Sequence, residues 1–182
     1  MEHLNLDERL FFPATLRNRD PIAKVLSQYI TPKGVLLELA SGSGEHGVFF
    51  QKIFPTITWQ TSDPKLIHRK SIISWLAHYQ LSMKMPEPLD IDVEKRPWPI
   101  TKKLKSLIKG IVCINMIHIS PWSCTKALFE ESKNILKKNQ FLMLYGPFFV
   151  KGQQTSQSNL MFDQSLKMQN SKWGLRYLDK VN

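Results

Sequence analysis

The chain has two cysteines in 182 residues, too few for a disulfide framework. Cys113 sits in the apolar run Ile111-Val112-Cys113-Ile114 and reads as a small core residue. No apolar stretch is long enough for a bilayer, since the longest, residues 141–150, is broken by Gly146 and Pro147. The opening Met1-Glu2-His3-Leu4-Asn5 lacks the basic-then-apolar order of a secretion signal. Together these absences predict a cytoplasmic protein with no membrane partner. Repeats, low-complexity tracts and linkers are missing too, so residues 1–182 are expected to form a single domain. The five histidines show no ligand spacing such as H-E-x-x-H, which argues against metal hydrolase chemistry and predicts no bound metal.

What is present looks globular. Hydrophobic residues make up 42% and aromatic residues 10%, and a chain of this length buries roughly 70% of its unfolded surface. The net charge of +10 is uneven: residues 1–62 carry six basic and six acidic residues, residues 63–182 nineteen basic and nine acidic. Lys102-Lys103-Leu104-Lys105 and Lys137-Lys138 are the densest spots. A basic face attracts RNA or an anionic substrate. No cluster is interleaved in sequence with stacking aromatics, however, and a solvated lysine-rich surface is the simpler expectation.

Apolar patterning alternates between two periods. Residues 17–29 read as a helix, with Ile22, Val25, Leu26 and Tyr29 at helical spacing and Pro32 beyond its end. Val35-Leu36-Leu37-Glu38-Leu39 is a first strand, followed by a helix over 45–54 that stops at Pro55. A second strand covers 57–61, and Asp63-Pro64 opens a helix through Tyr79. A short third strand is expected at 89–93 and a fourth at 111–115. Ser120-Pro121 has the composition of a helix start, and that helix runs to Lys137-Lys138. A fifth strand covers 141–145. Strands separated by helices imply an α/β fold, a parallel sheet covered on both faces, with ligands bound at the C-terminal strand ends.

The segment between the first strand and its helix is Glu38-Leu39-Ala40-Ser41-Gly42-Ser43-Gly44-Glu45-His46-Gly47. Its last six residues form G-x-G-x-x-G, a weak dinucleotide signal when alone. Read from Glu38, with Ala40, Gly42 and Gly44 as the small positions, it resembles the acid-x-Gly/Ala-x-Gly-x-Gly pattern of class I methyltransferases that use S-adenosylmethionine (SAM). A carboxylate suits the ammonium and sulfonium charges of SAM and repels a pyrophosphate, which wants bare N–H groups. A tight strand-to-helix turn with no ligand remains the plain alternative.

Other strand ends supply candidates. Asp63 follows the second strand and can accept both ribose hydroxyls, or cap the next helix. Asp92, with Asp90 as competitor, can accept from an adenine amino group. The fourth strand leads into Asn115-Met116-Ile117-His118-Ile119-Ser120-Pro121-Trp122. His118 is a candidate base for a methyl acceptor, or a structural histidine. Asn115 and Trp122 are candidates for orienting the acceptor, as are residues from Tyr145 to Phe148.

Nearly the whole chain resembles the class I SAM-dependent methyltransferase superfamily, and more narrowly the methyltransferase-like protein 26 family, also known as domain of unknown function 938. The likeness rests on Pro13-Ala14-Thr15-Leu16-Arg17-Asn18-Arg19-Asp20-Pro21-Ile22, Glu38 to His46, Trp59-Gln60-Thr61-Ser62-Asp63, Asp92-Val93 with Trp98-Pro99, and Cys113 to Trp122. Tyr145-Gly146-Pro147-Phe148, Gln157-Ser158-Asn159, Phe162-Asp163 and Trp173-Gly174-Leu175-Arg176 follow in order. The resemblance implies a Rossmann-like class I methyltransferase fold that binds SAM, and it favours Asp92 over Asp90. It implies that Arg17-Asn18 lies over the cofactor, with Arg17 on the SAM carboxylate. It implies that Asn159 and Asp163 help close the acceptor pocket.

The superfamily fold ends in a strand hairpin, and no two further strands are legible after Tyr145. The expectation is therefore a domain shortened at its C-terminus, whose exposed edge a homodimer would cover. The functional expectation is methyl transfer from SAM to a small-molecule acceptor. A non-catalytic SAM- or nucleotide-binding module and an NAD-dependent oxidoreductase are the alternatives.

Overall fold

Every residue of β1 (Val35–Leu39) is buried, and that places the strand inside a sheet covered on both faces. The computed structural model describes residues 7–181; the stretch read above for a secretion signal, and Asn182, lie outside the described residues. β1 pairs in parallel with β2 (Thr58–Gln60) on one side and with β3 (Ile108–Ile114) on the other. β4 (Phe141–Tyr145) adds to β3, again in parallel, for the order β2-β1-β3-β4.

Alternation along the strands sorts the core in two. Leu36, Val112 and Ile114 point to one face, where α1 (Pro13–Leu26), α2 (Glu45–Ile53) and α3 (Leu66–His78) pack around Phe50 and Trp59. Leu37, Leu39, Ile111 and Cys113 point to the other. There they meet Leu104 of α4 (Lys102–Leu107) and Leu128 of α5 (Trp122–Ile135). Beyond β4 come β5 (Phe148–Phe149), α6 (Gln157–Gln169), β6 (Arg176–Tyr177) and α7 (Leu178–Val181). No helix among the described residues is long and apolar enough to cross a membrane.

Four sequence expectations need correction. The third strand at 89–93 shrinks to one parallel bridge, Leu89 beside Ser62. Pro86 and Pro88 cannot donate to a ladder, and Asp92 turns the chain by accepting from the Glu94 N–H at 3.1 Å. Ile91 and Val93 still fill the core. Ser120 does not cap α5; its hydroxyl faces Met116 Sδ at 3.1 Å, and the helix starts at Trp122. α3 starts at Leu66 rather than at Pro64, because Asp63 closes a side-chain turn by accepting from the Lys65 N–H at 2.9 Å. Finally, two strands do follow Tyr145: β5 and β6 form a short parallel pair, Phe148 beside Arg176 and Phe149 beside Tyr177. Two-residue strands leave no legible apolar run, and no helix was expected at α4, which has a single turn and a half.

Candidate functional site

The chain leaves β1 towards β2 on one side, whereas β3 lies on the other. A crevice opens where the order reverses, and it holds a cavity of about 260 Å³. Its floor is the loop after β1. Ala40 (φ +53°), Gly42 (φ +56°) and Gly44 (φ +89°) are all left-handed, and the Ser41 N–H donates to the Ser62 carbonyl at 2.8 Å. A left-handed alanine costs energy that glycine does not, so the turn at Ala40 is held by its surroundings. Across the crevice Asn115 is also left-handed (φ +61°) and donates its N–H to the Tyr145 carbonyl at 2.8 Å.

Two acids anchor this loop. Glu38 is buried, and its Oε2 accepts from the Trp59 indole N–H at 2.8 Å. Burial pushes its carboxyl up to about 7. Asp63 binds loop and helix together. Its Oδ2 accepts from the Gly42 N–H at 3.0 Å, and its Oδ1 takes the Lys65 N–H at 2.9 Å and faces His68 Nδ1 at 3.0 Å. A carboxylate oxygen offers two lone-pair directions, so Oδ1 is full and Oδ2 keeps one. Asp92 lines the same cavity, whereas Asp90 pairs with Arg69 at 3.0 Å and does not.

The N-terminal segment straps the mouth. Glu8 pairs with Lys70 at 3.0 Å, the Leu10 N–H donates to Ser71 Oγ at 2.8 Å, and the Phe12 N–H donates to Glu45 Oε2 at 2.7 Å. The Phe12 ring lies on the bare face of Gly42, where a Cβ would come within 2.9 Å of it. Thr15 follows into the cavity wall. Asn18, one turn on, accepts from His46 Nε2 at 2.8 Å, in the tautomer that protonates Nε2. Burial, with Arg19 nearby, brings His46 down to about 4, so the ring is neutral and Nδ1 is a lone-pair acceptor.

The crevice thus gathers Glu38, Ala40, Gly42, Asp63, Asp92 and Asn115 in its lining, with Gly44 shaping the loop. It does not gather Arg17, Trp122, Tyr145, Asn159 or His118. Thr15, Asn18 and Ile22 are the buried stripe of α1, which turns Arg17 outward to solvent. Trp122 lines a separate groove with Arg176, whose guanidinium stands 5.8 Å from the indole centroid. Tyr145 packs against the core, and Asn159 sits in the first turn of α6, its N–H donating to Ser156 Oγ at 3.3 Å.

His118 lies behind the cavity wall. Gly146 has no Cβ, and the imidazole occupies that space; any side chain at 146 would overlap it. Phe162 meets the ring edge-on at 5.9 Å between centroids. Neither ring nitrogen has a hydrogen-bond partner among the described residues. Burial, then the Arg176 charge, bring its pKa from 6.5 to about 4. The unfolded chain takes up this proton below about 6.5 and the folded chain only near 4, so the site loses stability as pH falls between those values. His118→Leu removes two unsatisfied nitrogens. It is expected to match or exceed the parent in stability at pH 7, by up to about 1 kcal/mol. It should also lose less stability between pH 7 and 5. Urea midpoints at the two pH values check this; a strongly destabilised variant at pH 7 refutes it.

Sequence reasoning assigned no role to Phe12, Thr15, His46, Lys65 or His68. His46 lay inside the glycine motif and His68 five residues after Asp63, but only packing shows that they face one cavity.

A family model described as "Protein of unknown function (DUF938)" matches residues 9–182. Among solved structures, the mitomycin 7-O-methyltransferase superposes with a TM-score of 0.72 at 12% identity, over 90% of this chain and 45% of that one. An O-methyltransferase family protein from Burkholderia thailandensis gives 0.71 at 13%, over 92% and 49%. Human N-acetylserotonin methyltransferase, solved in complex with SAM, gives 0.66 at 12%, over 93% and 47%. The chain spans about half the length of these three structures. At such identity the likeness establishes the fold: a Rossmann-like methyltransferase fold with a mostly parallel sheet.

Proposed function

We propose, for a chain that belongs to the DUF938 family, that the crevice binds SAM and that the protein transfers its methyl group to a small-molecule acceptor. The observation that carries this is the acidic, glycine-floored cavity: the carboxyl groups of Glu38, Asp63 and Asp92 face one space and outnumber the single lysine, Lys65, in its lining. Such a space suits a cationic nucleoside and disfavours a pyrophosphate. The three solved methyltransferases described above support the same reading through their fold. The narrower likeness to the methyltransferase-like protein 26 family rests on the sequence segments alone.

Bound SAM supplies an electrophilic methyl group. Asp63 takes ribose hydroxyls and Asp92 the adenine amino group. Ala40, Gly42 and Gly44 bring backbone close to the ligand. The Nδ1 of His46 accepts from the ammonium, and Asn115 stands where the acceptor arrives. Glu38, about half ionised at pH 7 because burial raises its carboxyl to about 7, ionises fully beside a cation. SAM affinity is therefore expected to rise as pH increases through 7, and Glu38→Gln to flatten that dependence. The protein's part is positioning and exclusion of water. With His118 behind the wall, the acceptor brings its own nucleophilicity. That same placement favours a second reading, a binding module without turnover.

Calorimetry with SAM and with NADH tests both. Micromolar SAM binding and no NADH response are expected. A folded chain that ignores SAM refutes the proposal, and SAM binding with no turnover over a broad acceptor panel selects the second reading. Both cysteines are free and buried, which suits a reducing, cytoplasmic setting. The outer edge of β4, unpaired among the described residues, supports pairing with a second copy of the chain.

A further inference from the structure

At the opposite end of the strands, three segments converge that are far apart in sequence. Thr31-Pro32-Lys33 precedes β1, Lys109 is the second residue of β3, and Lys138-Asn139-Gln140 precedes β4; together they line one open groove. Lys33, Lys109 and Lys138 bring three positive charges to it. None of the three has a carboxylate partner within 4.0 Å among the described residues. The stem of Lys109 crosses the bare face of Gly34, which fixes its direction.

Two aromatic residues adjoin the groove's segments along the chain: Tyr29 lies four residues before Lys33, and Phe141 three after Lys138. Phe141 follows Gln140 and lies on Gly110, next to Lys109, where a Cβ would come within 2.6 Å of the ring. Tyr29, from the turn that ends α1, packs on Phe141 at 5.8 Å between centroids and is 57% exposed. Cations along a groove with an exposed ring at its side are the elements of a single-strand platform: lysines track phosphates while a base stacks on the ring.

We propose that this groove binds single-stranded nucleic acid, with Lys33, Lys109 and Lys138 on the phosphates and a base on Tyr29. The site is separate from the cofactor crevice. β3 has seven residues, so roughly 20 Å of strand lies between them. The proposal does not depend on methyl transfer.

Fluorescence anisotropy with labelled oligo-U and oligo-dT, without SAM, tests it. Binding to the full chain is expected at low salt, and log K should fall with log salt at a slope of about −2, as three phosphate contacts on a single strand require. The K33Q/K109Q/K138Q variant should lose the slope, and Tyr29→Ala should weaken binding about tenfold with the slope kept. A control, K84Q/K126Q/K151Q, removes the same charge elsewhere and should bind like the parent. Thermal melting confirms that each variant is folded. No binding by the parent overturns the proposal, and so does equal loss in the control, which would mean diffuse charge attraction. Because the readout needs no cofactor, its failure leaves the SAM reading untouched.

Discussion

Replacing Asp63 by alanine is expected to weaken SAM binding at least about 100-fold, since hydrogen bonds to a charged group contribute roughly 1.5–3 kcal/mol each. Two losses combine. The ribose loses its acceptor, and the Gly42 N–H loses the partner that holds it at 3.0 Å. Asp63→Asn is not a rescue. If its carbonyl keeps the Gly42 contact, its NH2 meets the Lys65 N–H, donor against donor; the reverse rotamer sets NH2 against Gly42. Both variants should therefore fail in calorimetry, while Asp90→Ala, outside the crevice, binds like the parent. Oδ1 is already filled by Lys65 and His68, so seating both hydroxyls requires the His68 ring to leave or to take one hydroxyl itself. His68→Ala separates these cases: tighter binding means the ring was a competitor, weaker binding means it was a ligand. Unchanged affinity in Asp63→Ala removes Asp63 from the cofactor altogether.

Gly44→Ala is expected to cost about 3 kcal/mol of stability, from a left-handed alanine and an overpacked contact. The backbone there has φ +89°, and a Cβ would come within 2.6 Å of Ile72 Cγ1 and 3.0 Å of its Cα. The backbone of α3 would have to retreat from the loop. For a chain of this size each kcal/mol moves the melting temperature by about 2–4 °C, so a drop of roughly 6–12 °C is expected. Gly152→Ala is the control. It too is left-handed (φ +78°), but nothing lies within 4 Å of its Cβ. It should show the backbone part alone, about 1–2 kcal/mol. Equal losses in the two variants would remove the Ile72 clash from the argument.

The sheet interior was legible because burial on both faces leaves an unbroken apolar run. Val35–Leu39 and Phe141–Tyr145 match their strands residue for residue. The glycine loop was legible because a strand, a small-residue turn and a helix must follow one another locally. What failed was non-local. The two prolines before Leu89 prevailed over the apolar alternation of 89–93 and left one bridge. The strap residues Phe12 and Thr15 reach the crevice through contacts with α2 and α3, which no local pattern encodes. His118 shows the limit most clearly. A residue four places past a strand end can face either side, and the space at Gly146 decided which. The lysine groove was hidden for the same reason, since Lys33, Lys109 and Lys138 come together from segments far apart in sequence.

The strap also bears on how fast the crevice exchanges its contents. Glu8, Leu10 and Phe12 tie the chain's leading segment to Lys70, Ser71 and Glu45 at the mouth of the crevice. Phe12 is part of the crevice wall as well as of the strap. A substitution that cuts those ties is expected to register as a changed ligand residence time. Two variants that differ only in these ties can thus differ in exchange kinetics while sharing the same equilibrium fold.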